Sequence, residues 1–179
     1  MKNNVIKLGL LAMMVMGGMN AAHAGNELTV SGQVLNVTCD ISVPPTLNSG
    51  VLKAKPADID TAGKLFKSES VKVTLSGCQG AAEASSQGHI RISGPVSGMG
   101  DTYFNSETTS PVAIGVTADA TGAGALLANR STRDIGNKND APATLNNTEY
   151  DYSVGLASAS ATPAPGIANA VLKFEFSYN

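Results

Sequence analysis

A chain of 179 residues is long enough for one domain with its own core and short for two. Only 15% of it is charged and the formal net charge is −2. With no basic cluster, that excludes the electrostatic footprint needed to bind a phosphate backbone. At 42% apolar residues it is not a disordered composition either, and what stands out is 6 methionines, 2 cysteines and no tryptophan.

The methionines mark the first element. Met1, Met13, Met14, Met16 and Met19 precede residue 20, and only Met99 lies beyond. Residues 1–24 combine Lys2 and Lys7, an apolar stretch over residues 8–19 and the small-residue site Ala22-His23-Ala24, the three parts of a secretory signal peptide. A membrane anchor is the alternative, but twelve uncharged residues rise only about 18 Å as a helix against a bilayer core of roughly 30 Å. Cleavage is expected after Ala24. Residues 25–179 then form the mature chain, and loss of Lys2 and Lys7 takes the formal charge from −2 to −4. In an exported protein with two cysteines and no third partner, Cys39 and Cys78 are expected to form a disulfide rather than a metal pair.

Along the mature chain period two dominates. Val71, Val73 and Leu75 alternate with polar residues, Ile90 and Ile92 flank Arg91, and Val112, Ile114 and Val116 continue the pattern. Tyr150, Tyr152, Val154 and Leu156 follow, and Ala170, Leu172, Phe174, Phe176 and Tyr178 form the last and most apolar run. Turn residues separate these runs at Pro44-Pro45, at 93–95, 119–124, 136–142 and 163–166. The pattern predicts an all-β fold, an antiparallel sandwich of immunoglobulin-like kind. The missing tryptophan argues against an antibody-type domain.

Two ends depart from a self-contained sandwich. Leu28, Val30, Gly32 and Val34 occupy even positions, whereas Leu35, Val37, Cys39, Ile41 and Val43 occupy odd ones. A one-residue slip turns side chains to the other face, so residues 26–34 and 35–43 cannot line one face as a single regular strand. Either a bulge joins them or they belong to different surfaces. At the far end, a run rich in Phe and Tyr should lie inside a sheet, yet no segment follows to pair with it.

These ends, with the cysteines, resemble the pilin subunits of chaperone–usher fimbriae, the type 1 fimbrial major-subunit family. The segment Leu28-Thr-Val30-Ser-Gly32-Gln-Val34-Leu35-Asn36 before Cys39 is similar to that family's donor segment. Leu75-Ser76-Gly77-Cys78 is similar to its second-cysteine motif, and Gly166, fourteenth from the end, with penultimate Tyr178 is similar to its carboxyl-terminal motif. The resemblance implies an incomplete immunoglobulin-like β-sandwich completed by donor-strand exchange, with a signal peptide at 1–24, a donor extension at 25–34 and a pilin domain at 35–179. Leu28, Val30, Gly32 and Val34 would donate. Gly166, Ala170, Leu172, Phe174, Phe176, Tyr178 and Asn179 would form the accepting groove and the strand a chaperone engages. The implied partners are a periplasmic pilus chaperone, an outer-membrane usher and neighbouring subunits in a fimbria on the cell surface, supporting adhesion. A minor tip or adaptor subunit, or a single-domain adhesin, is the alternative within the same family.

No catalytic, metal or cofactor site is expected. Asp58, Asp60, Gly63 and Glu69 mimic a calcium loop, but Ala62 at its fifth position supplies no side-chain ligand and a solvated turn is favoured. His89 precedes Ile90 in a strand and is expected to be a plain surface or edge histidine. No Gly-x-Ser-x-Gly accompanies it, which weighs against a hydrolase. The sequons at Asn36, Asn129 and Asn146 are unsurprising in a chain so rich in Asn, Ser and Thr.

Overall fold

The computed structural model describes residues 37–48, 50–81 and 84–179. Among them are seven strands in two antiparallel sheets. One sheet holds β1 (Val37–Ser42), β2 (Leu65–Gly80), β6 (Thr148–Ala157) and β4 (Ala113–Thr117) in the order β1-β2-β6-β4. The other holds β5 (Thr132–Ile135), β3 (Gly88–Ser93) and β7 (Lys173–Tyr178) in the order β5-β3-β7. The architecture is the expected all-β sandwich, and among the described residues the connections carry short 3-10 turns at Pro56–Asp58 and Pro142–Leu145.

The core follows from the alternation. Val71, Val73 and Leu75 of β2, Ile90 and Ile92 of β3, and Tyr152 and Val154 of β6 are buried between the sheets. The intervening Lys72, Arg91 and Asp151 stay in contact with water, because successive side chains on a strand point to opposite faces. In β1 the odd-numbered Val37, Cys39 and Ile41 turn inward while Thr38, Asp40 and Ser42 are exposed. The odd phase read for this stretch is the observed one.

Cys39 and Cys78 are bonded, with Cα atoms 4.1 Å apart. They tie neighbouring strands of one sheet. Thr38 opposes Gln79 and Asp40 opposes Ser76, so Gly77 and Cys78 face the single Cys39 across a bulge. Gly77 sits there at φ +61°, and a Cβ on it would meet the Asp40 carboxylate at 2.8 Å. Asn146 fastens the same point from the side. Its Oδ1 accepts the Cys78 N–H at 2.7 Å and its Nδ2 donates to the Cys78 carbonyl at 3.1 Å.

Three expectations need correction. The alternation in 112–116 placed one apolar face inward, yet Ala113 is as fully buried as Val116. A second small cluster of Tyr103, Ala113 and Ala157, backed by Leu65, Met99 and Leu126, covers the other face. His89 lies on the outer face of its strand, as a surface histidine would, but the strand is not an edge, since β3 lies between β5 and β7. It stands opposite Asp134 in the β3–β5 register, with Nδ1 2.8 Å from the Asp134 carboxylate. The last strand begins at Lys173 rather than Ala170, because Ile167 and Asn169 direct their main-chain groups to the side chain of Asn105 instead of a ladder.

The Asp119 carboxylate organises the turn that follows β4. Its Oδ1 accepts the N–H groups of Thr121 at 2.8 Å and Gly122 at 2.7 Å and the Thr121 hydroxyl at 2.7 Å, while Oδ2 accepts from Gly124 at 3.1 Å. The Thr121 hydroxyl, with the backbone donors behind it, holds this carboxyl far below the usual carboxylate range. A carboxyl depressed by folding stabilises the fold above its unfolded pKa and loses that contribution as pH falls through the folded value. Asp119→Ala should therefore melt below wild type at pH 7, and the gap should close as pH is lowered from about 5 toward 2. A gap that stays constant across that range would remove the carboxylate from the explanation.

Candidate functional site

β7 pairs on one side with β3, from Lys173 opposite Ser93 to Tyr178 opposite Gly88. Asn179 extends the ladder through two bonds with Gln87, at 2.8 and 3.1 Å. Its other edge carries no strand among the described residues. The inward residues of this region, Ala170, Leu172, Phe174, Phe176 and Tyr178, pack on the main core but are only half-buried. Phe174 meets Tyr152 of β6 edge to face, ring centroids 5.3 Å apart, which anchors β7 to the opposite sheet. The Tyr178 hydroxyl donates to the Asp140 carbonyl.

A groove opens beside this edge. Its larger cavity, about 610 Å³, has a floor of Val71, Ile114, Val154 and Leu156 from the four-stranded sheet. One wall is the segment that continues β1, with Val43, Leu47, Val51 and Leu52; the other runs from Ile167 to Leu172 and on to Phe174. A second cavity of about 430 Å³ shares Val51, Leu52, Leu156, Ile167 and Ala168 with it and extends to Ile59, Phe66, Pro163 and Gly166. Among the described residues no charged side chain lines the larger cavity, and Lys53 is the one charged residue lining the smaller.

The rim is apolar as well. Val51 is 76% exposed, Ile167 72% and Val171 80%, and they are the large apolar side chains left in water among the described residues. All three line this groove. Isolated exposed apolar residues need no explanation, but a contiguous set around an apolar trough marks a binding surface. With one free strand edge alongside, the trough suits an extended apolar segment, whose main chain would pair with β7 while alternate side chains enter the cavity.

Of the residues singled out in the sequence, Ala170, Leu172 and Phe174 line the larger cavity and Gly166 the smaller, while Phe176 and Tyr178 continue the same face of β7. Leu28, Val30, Gly32 and Val34 lie outside the described residues. Missed were the wall at 43–52 and the exposed trio. The Pro44-Pro45 pair looked like simple punctuation, although the apolar spacing of Val43, Leu47 and Val51 around it was a readable signal.

The two-sheet sandwich, with its apolar trough beside the start of β7, is pilin-like in fold. Among solved structures, the chain is similar to the P pilus rod subunit PapA, at 17% identity and a TM-score of 0.50, over 86% of this chain and 99% of that one. No protein-family model and no curated protein matches the sequence.

Proposed function

We propose that this chain is a non-enzymatic structural subunit of a chaperone–usher fimbria of the type 1 kind, polymerising head-to-tail by donor-strand exchange. The observation that carries the reading is the apolar groove of about 610 Å³ beside the free edge of β7, ringed by exposed Val51, Ile167 and Val171. In this scheme residues 25–34 of one copy lie in the groove of the next, with Leu28, Val30 and Val34 entering the trough and Gly32 where its floor comes close to the backbone. Donor and groove are different surfaces, so the contact does not close on itself and generates an open filament. Residues 1–24 direct export and are removed. A periplasmic chaperone covers the groove before assembly, and an outer-membrane usher passes the subunit to the cell surface. Strand addition of this sort draws affinity from main-chain hydrogen bonds and specificity from the pockets for alternate side chains.

The decisive experiment deletes residues 25–34. The truncated subunit should still be recovered with its chaperone, and electron microscopy should show no fibres made from it. Fibres of normal length from the truncated chain would refute the donor assignment.

A further inference from the structure

Asn105 lies in the connection between β3 and β4, is fully buried, and spends its whole side chain on the groove's outer wall and the loop beside it. Its Nδ2 donates to the carbonyls of Val112 and Ile167, each at 2.9 Å, and its Oδ1 accepts the N–H groups of Glu107 at 3.0 Å and Asn169 at 3.1 Å. The Ile167 carbonyl takes a second bond from the Ser110 hydroxyl at 2.7 Å. A buried amide is costly unless every donor and acceptor is used, and here all are. The wall needs this brace because residues 167–172 lie outside the strand ladder, so their polar groups require partners from elsewhere. Gly166 permits the close approach: a Cβ there would sit 2.8 Å from both the Ser110 hydroxyl oxygen and Pro111 Cδ.

We propose that Asn105, assisted by Ser110, is a positioning residue for the groove. It fixes residues 167–171 at the height where Ile167 and Val171 stand at the mouth. It thereby sets the affinity for the incoming strand without touching that strand. The inference rests on the strand-acceptor reading above. The loop-to-wall bonds are all made within the chain, so the wall needs no incoming strand to satisfy these groups, which lowers the ordering cost of association.

The test measures binding of a fluorescent synthetic peptide of residues 25–36 to the full chain. Asn105→Asp keeps the shape and the two accepted bonds but loses both donated ones. It should bind about tenfold more weakly, chiefly through faster dissociation, and Ser110→Ala about threefold more weakly. Hydrogen exchange separates positioning from general destabilisation. Amides of residues 167–171 should lose protection in Asn105→Asp while the β3–β7 ladder keeps it. Equal loss across the ladder, or peptide affinity unchanged in both variants, would overturn the inference. Should Asn105→Asp fail to fold, Ser110→Ala decides alone, and wild-type affinity in it counts against the brace. A wild-type chain that ignores the peptide would defeat the strand-acceptor reading, and this inference with it.

Discussion

Fusing residues 26–34 behind Asn179 through a short turn is expected to give a soluble monomer that melts on the order of 10 °C above the unfused chain. The gain comes from two surfaces at once. Leu28, Val30 and Val34 each contribute roughly 1.5 to 3 kcal/mol on leaving water. The fused segment also covers Val51, Ile167 and Val171, now 76, 72 and 80% exposed, and the half-buried faces of Phe174 and Phe176. Ordering the segment costs about 1 to 2 kcal/mol per residue, which offsets most of that but not the ladder of bonds along the free edge of β7. A net of a few kcal/mol remains, and in a domain of this size each kcal/mol moves the melting temperature by about 2 to 4 °C. The fusion should abolish fibre assembly, because the groove is then filled in cis. An unchanged melting temperature would mean that the sandwich is complete as it stands.

The residues that were legible in sequence are those whose environment differs between the two faces of a strand. Val71, Val73 and Leu75 face the core while Lys72 faces water, so alternation alone assigned them. β5 escaped notice because only Ile135 of its four residues is buried. It is held in place by its pairing with β3, including His89 against Asp134, and cross-strand partners leave no periodic trace. The groove was half legible. The apolar run from Ala170 to Tyr178 announced a strand short of a neighbour, but in the wall at 43–52 the turn signal of Pro44-Pro45 masked the regular spacing of Val43, Leu47 and Val51. Asn105 gave no signal at all, since a lone Asn in a loop is ordinary and its role exists only where residues 112, 167 and 169 converge on it. Gly166 entered through resemblance, and its contacts with Ser110 and Pro111 supply the physical reason for a glycine there.

Replacing Cys39 and Cys78 together by serine should cost about 4 kcal/mol in the chain-entropy account of a cross-link. The sequence separation it closes is 39 residues. Domains are stable by only about 5 to 15 kcal/mol, and one whose last strand has no outer partner among the described residues is expected near the lower end. The melting temperature should fall by about 8 to 16 °C. The location makes the loss more than a matter of stability. β1 is an edge strand held to β2 by a short ladder, the bonded cysteines and, through Cys78, the side chain of Asn146. Its continuation through Val43, Leu47 and Val51 is the inner wall of the groove. Freed of the disulfide, β1 should fray first and carry that wall with it, so the serine variant should lose affinity for the 25–36 peptide even at temperatures where far-ultraviolet circular dichroism still reports a folded sheet. Peptide affinity that falls only in step with the folded fraction would confine the disulfide to a global role. A melting temperature equal to wild type would show that the ladder and Asn146 suffice without it.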